Sequence, residues 1–156
     1  MRPPNRMGLK SSFSSLHVFL YRVSNGRVGG RFRGAPVLLL TTIGRKTGRK
    51  RTTPLLFARD GNRLVIVASN GGRNRDPSWW TNLRFNPEAE VVIKGDRWTV
   101  KAEKANDAEK TRLWPLMTET FPPYEEYQRK TKRVIPVVIL TPSDRLVLQR
   151  AAITVL

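Results

Sequence analysis

The residues best equipped for chemistry are Gly44-Arg45-Lys46-Thr47-Gly48-Arg49-Lys50-Arg51, five cations set around two glycines between apolar runs. Glycines let backbone N–H groups approach an oxyanion, and guanidinium and ammonium groups neutralise it with charge-assisted bonds, so the segment reads as an anion cradle. It is not a Walker A loop, because three residues separate the glycines and Arg49 follows Gly48. A solvated basic hairpin tip is the plainer alternative. In Val67-Ala68-Ser69-Asn70-Gly71-Gly72 a strand ends in small polar residues. Such an end can bind the edge of a heterocycle, with Ser69 donating to a carbonyl or nitro oxygen, though an ordinary loop has the same composition. Trp79, Trp80, Asn82, Tyr124 and Tyr127 add aromatic and amide groups. Adjacent tryptophans on a helix point about 100° apart, so one is expected deep in the core and the other at a surface or pocket. Tyr124 and Tyr127, three apart, can share a helical face, and a core role competes with a substrate-facing one for both.

The chain holds 29 Lys plus Arg against 12 Asp plus Glu, a formal charge of +17. Residues 1–59 carry thirteen of those cations and no carboxylate, so anions are the expected partners: a polyanionic small molecule, nucleic acid or anionic lipid. Cysteine is absent and His17 is the lone histidine, which excludes thiol nucleophiles and thiolate or multi-histidine metal sites. No apolar run approaches the roughly 18 residues of a membrane span. The N-terminus lacks a cleavage signature, so no removed signal peptide is expected and the chain reads as cytoplasmic.

These groups need a scaffold. Phe13, Leu16, Phe19, Leu20 and Val23 recur at helical spacing and predict an amphipathic helix, either a lid on the domain or a basic helix on anionic membrane. Residues 36–43 predict a buried strand, residues 52–58 and 63–69 a hairpin about Asp60-Gly61, and residues 89–94 and 97–103 a second about Gly95-Asp96. Between them Ser78 is a candidate N-cap for a short helix over 78–85. Asn106 and Glu109 have capping-box spacing for another helix, which Pro115 should kink or end. VIPVVIL reads as a closing strand and SDRLVLQR as a last strand or helical tail. About six strands with short connections favour an antiparallel barrel: mainly β with α additions. The expected division is a flexible 1–12, an amphipathic helix and basic linker over 13–34, a barrel domain over 35–142 and an extension over 143–156.

Taken in order, LLTTIGRKTGRKRTTPL, ASNGG, DPSWWTNLRFNPEAEVVIKG, LWPLMTETFPPYEEYQ and IPVVILTP resemble the deazaflavin-dependent nitroreductases of actinobacteria, also called deazaflavin-dependent oxidoreductases, from about Arg33 to Thr141. The resemblance implies a split β-barrel related to flavin-binding barrels, with coenzyme F420 in a groove and its phosphate and oligoglutamate tail in a basic channel. Carried over by position, Arg45, Lys46 and Thr47, with Arg51, Thr52, Thr53, Pro54, Leu55 and Leu56, would hold the phospholactate and tail. Val67, Ala68, Ser69 and Asn70 would line the ring. Ser78, Trp79, Trp80, Thr81 and Asn82 would add coenzyme contacts, and Tyr124 would close over the ring with Tyr127 on the substrate side. The sequence departs from the nitroreductase members at Leu56, where an aromatic can stand, and at Asn70, where a lysine can stand, which puts substrate preference in question.

On that resemblance the implied function is hydride transfer from reduced F420 to a small-molecule acceptor: a quinone, a nitroaromatic or an activated enone. Ser69 and Tyr124 would polarise the acceptor, and Tyr127 or water would supply the proton. No metal and no specific nucleic acid are expected; peripheral contact with anionic membrane through the N-terminal helix, at the inner face of the plasma membrane, stays open. Two rivals are a barrel that binds FMN, and a basic binding module for nucleic acid or membrane that uses GRKTGRKR and an exposed Trp80.

Overall fold

The computed structural model describes residues 7–143, with side chains from residue 15 onward. Helix α1 spans Met7–Val23, starting before the expected residue 13. Strands β1 (Arg31–Phe32), β2 (Ala35–Ile43), β3 (Lys50–Leu56), β4 (Ala58–Asp60) and β5 (Arg63–Val67) follow, then a 3₁₀ turn over Asn70–Gly72. Helix α2 (Ser78–Phe85), β6 (Glu88–Ile93), β7 (Asp96–Lys104), α3 (Asp107–Thr120), α4 (Pro123–Lys130) and β8 (Val137–Pro142) complete the described chain. The SDRLVLQR expectation and the 143–156 extension fall, beyond Ser143, outside the described residues.

The strands form one antiparallel sheet in the order β1-β2-β6-β7-β8-β5-β4, with β3 also on β2. Both ends of the curl, β3 and β4, are consecutive in the chain and separated only by Phe57, whose N–H donates to Pro36 O at 3.2 Å. The mainly β class with helical additions holds, as a curled half-barrel. Among the described residues eight strands replace the expected six because Phe57 divides one long run and β1 adds a two-residue edge. Pro54 is tolerated within β3 because that strand has one sheet partner.

The continuous apolar run of β2 reflects burial on two faces. Leu38 and Leu40 enter the barrel core with Ile66, Val91, Val100 and Leu140, whereas Val37 and Leu39 pack against Val18 and Tyr21 of α1. Tyr21 anchors the helix: its hydroxyl accepts from Lys94 N at 2.9 Å, and burial raises its pKa with that bond opposing. Leu16, Phe19, Leu20 and Val23 remain exposed. Among the described residues no helix is long and apolar enough to cross a membrane.

Several local expectations are corrected. The β6–β7 turn is Lys94-Gly95, one residue earlier than read; both have positive φ (47° and 86°), as a two-residue hairpin of primed type requires. Helix α2 is capped by Pro77, with Ser78 already helical; Trp80 and Thr81 donate their N–H groups to the Pro77 carbonyl. Pro115 lies inside an unbroken α3, where Leu113 and Met117, both fully buried on either side of it, hold the helix by packing. The Asn106 cap forms as expected, its Oδ1 accepting from Glu109 N at 2.8 Å.

Candidate functional site

Two grooves meet on the open side of the half-barrel, and Thr53 and Trp79 line both. The larger, about 960 Å³, is bordered by Arg22, Arg45, Lys46, Lys50 and Arg51 and, among the described residues, by no carboxylate. The smaller, about 460 Å³, runs between Pro54, Leu55, Leu56 and Val67 on one side and Phe121, Tyr124 and Tyr127 on the other, with Ser69, Asn70 and Gly71 at its edge. A cationic channel thus opens into an aromatic and aliphatic slot.

The basic channel is built by the β2–β3 turn, but not as the glycine content suggested. Gly44 N–H donates to Arg49 O at 2.7 Å and Gly48 N–H to Gly44 O at 2.8 Å, so both glycine donors are spent closing the turn. Arg49 N–H goes to Thr47 Oγ1 at 3.2 Å, and Arg45 N–H to Asn82 Oδ1 at 3.1 Å. Glycine is needed at 44 for space, since a Cβ there would stand 2.7 Å from Thr47 Oγ1. Anion attraction therefore falls to the exposed side chains of Arg45, Lys46, Lys50 and Arg51. Asn82, buried on α2, joins the turn to the sheet by also donating to Thr42 Oγ1 at 3.1 Å. Arg22 reaches over from α1 to Thr52 Oγ1 at 3.3 Å, and Thr52 shares a 2.8 Å bond with Thr41.

In the slot, Tyr124 is 5 % exposed and its ring lies 5.1 Å from Phe121 and 6.2 Å from Tyr127, edge-on to both. Burial, with a smaller contribution from Tyr127, pushes the Tyr124 phenol well above its ordinary range, so it remains a protonated donor. Phe32 of β1 extends the aromatic wall, 6.1 Å from Phe121. On the opposite edge Ser69 is buried where β5 ends, before Asn70, Gly71 and Gly72, all of positive φ.

Of the residues singled out in the sequence, Arg45, Lys46, Thr47, Arg51, Thr52, Thr53, Ser78, Trp79 and Asn82 line the basic channel. Pro54, Leu55, Leu56, Val67, Ser69, Asn70, Tyr124 and Tyr127 line the slot. Ala68, Trp80 and Thr81 line neither. Trp80 packs into the barrel core while Trp79 lines both grooves, the division expected of the pair, but both are buried where only one was expected to be buried deeply. The binding-module reading loses its exposed Trp80. Lys50, read as part of the cradle, lines the channel too; missed were Ser15, Val18, Phe19 and Arg22 of α1, with Thr42, in the channel, and His17, Phe32 and Phe121 in the slot. His17 is held by Gly29 O at 2.8 Å from its Nε2. Helical spacing gave α1 but not which groove its faces overlook.

The F420H(2)-dependent quinone reductase family model matches residues 14–142. An F420H(2)-dependent quinone reductase of Mycobacterium tuberculosis is 46% identical over 130 residues, 81% of this chain and 87% of the relative. A solved F420-H2 dependent reductase, FDR-A, superposes with a TM-score of 0.63 at 39% identity, over 67% of this chain and 93% of that one. A second structure, described as a domain-swapped dimer, gives a TM-score of 0.66 at 32% identity over 85% of this chain and 96% of its own. Such membership implies coenzyme F420 as cofactor, and the cationic channel opening into a flat apolar slot suits its acidic tail and ring. By sequence and by fold, the chain belongs to the F420H(2)-dependent quinone reductase family.

Proposed function

We propose that this chain reduces a quinone by two electrons with F420H2, its channel holding the coenzyme's phosphate and glutamate tail and its slot holding ring and acceptor. The observation that carries the reading is the junction of the two grooves at Thr53 and Trp79. Bound there, F420H2 supplies a hydride, the carbon at its reactive position favouring two-electron over one-electron chemistry. Arg45, Lys46, Lys50 and Arg51 neutralise the tail. Leu55, Leu56 and Val67 exclude water from the ring side of the slot. Ser69 and Tyr124 donate hydrogen bonds to the acceptor carbonyl, where negative charge collects as hydride arrives. Tyr127 or a water beside it delivers the proton that completes the hydroquinone, so the acceptor gains one hydride and one proton.

Fluorescence titration tests the coenzyme assignment. Binding should weaken with salt and with a shortened tail, and Lys46→Ala or Arg51→Ala should each cost about 1.5–3 kcal/mol of affinity, the range for hydrogen bonds to charged groups, with the melting temperature unchanged. A preference for FMN, or loss of fold in either variant, would overturn it.

A further inference from the structure

Beyond Ala68, whose N–H makes the last sheet bond of this edge to Pro136 O at 2.9 Å, the chain leaves the barrel. Asn70, Gly71 and Gly72 have successive positive φ of 48°, 65° and 81°. They take part in two backbone hydrogen bonds, Gly72 N–H to Ser69 O at 2.9 Å and Arg73 N–H to Asn70 O at 3.3 Å. A left-handed, glycine-rich turn with so little ladder is a poor support for a group that must sit accurately against a reacting molecule.

Side chains supply the missing support: Asn70 Nδ2 donates to Arg75 O at 3.0 Å and Thr131 Oγ1 to Asn74 Oδ1 at 2.8 Å, and Arg133 makes the most bonds of the three. Arg133, in the link between α4 and β8, has its side chain 17% exposed. Its Nη2 donates to Ser69 O at 2.8 Å and Ala68 O at 3.1 Å, its Nε to Arg73 O at 2.8 Å and its Nη1 to Asp76 Oδ1 at 3.0 Å. The other Asp76 oxygen faces Arg84 of α2 at 3.5 Å. Gln128 of α4 fixes the link itself, donating to Arg133 O at 2.9 Å and accepting from Ile135 N at 3.0 Å. The loop also abuts the tyrosine helix directly: a Cβ on Gly72 would stand 2.9 Å from Tyr127 O. The guanidinium fork thus joins the Ser69 edge of the slot to the helix carrying Tyr124 and Tyr127.

We propose that Arg133 is a positioning residue for the reduction, setting the separation of the Ser69 edge from the two tyrosines without touching the acceptor. The inference rests on the coenzyme reading above. Four acceptors around one planar group are beyond a lysine, whose ammonium has three donors about a single atom. Arg133→Lys should therefore behave much like Arg133→Gln.

Two measurements on both variants test it. In the protein without coenzyme, hydrogen exchange over residues 69–76 should quicken at least tenfold while β2 and β8 keep their protection. With F420H2 and a soluble quinone, kcat should fall tenfold or more while coenzyme affinity, set in the basic channel, changes less than about threefold. Unchanged exchange at 69–76, wild-type kcat per folded molecule, recovery of both by lysine, or a rise in exchange spread over the whole barrel would overturn the role. Failure of the unsubstituted protein to turn over F420H2 would instead overturn the coenzyme reading, and with it the catalytic role, leaving the exchange result as a statement about the loop alone.

Discussion

Removing the Tyr124 hydroxyl separates a reacting tyrosine from a packing one. Its ring is fixed by Phe121, Tyr127 and Trp114, at centroid distances of 5.1, 6.2 and 6.5 Å, and all three contacts survive in Tyr124→Phe. Among the described residues no hydrogen bond is made by the hydroxyl, and no buried polar side-chain atom is left without a partner. Deleting it strands no acceptor among the described residues. Stability should then change by no more than about 0.5 kcal/mol, the ordinary range for a substitution away from special features. For a domain of this size that is roughly 1–2 °C of melting temperature. A phenol bonded to a buried partner would instead cost about 1–3 kcal/mol. Turnover should respond oppositely: positioned proton donors contribute about a hundredfold or more, so a loss of tenfold or greater is expected even with partial replacement by water. Because the phenol is pushed above its ordinary range by burial, it stays protonated from neutral into alkaline pH, and its contribution should not titrate there. The assay is kcat with F420H2 and a soluble quinone, normalised to folded protein, beside a thermal melt; Tyr127→Phe is the parallel case. Full turnover with a lowered melting temperature would return Tyr124 to the core and refute its role as donor.

Two further outcomes are expected. Asp60 accepts from Arg112 and Arg63, and those bonds hold its carboxyl well below the usual range, so the unfolded chain takes up the proton first as pH falls. Its stabilisation is full above about pH 4 and is lost below; Asp60→Asn should flatten the melting-temperature profile between pH 5 and 2, and parallel profiles would refute this. Exposed Leu16, Phe19, Leu20 and Val23 near Arg22 and Arg27 support the reading that α1 contacts anionic membrane. Sedimentation with anionic but not neutral vesicles, halved or more by Phe19→Asp, is expected; equal binding to both would remove charge from the argument.

The parts of this molecule that could be read from its sequence are those where one residue type answers to one local requirement. The apolar run of β2 announced a strand buried on two faces, Asn106 announced a helix start, and the paired glycines after Ser69 announced a break in the sheet. The cations after Ile43 do border a groove, but the glycines there serve the turn and not an anion, because their N–H groups close the turn on itself. Trp79 and Trp80 show why helical angle alone is a weak guide: α2 lies against the barrel over a wide arc, so side chains about 100° apart both find cover. The contribution of α1 was hidden because its groove-lining faces depend on where Tyr21 docks, and that contact joins residues 71 to 73 positions apart. Arg133 is hidden for a different reason. It is one cation among 29 Lys plus Arg, and three of its four bonds end on backbone carbonyls, which no side chain spells out. A chain with a large surplus of positive charge can thus conceal, in that surplus, a cation that serves its own backbone. The distinction is legible only from acceptors, since a ligand-binding arginine keeps its donors facing the groove and Arg133 has its donors turned toward Ala68, Ser69, Arg73 and Asp76.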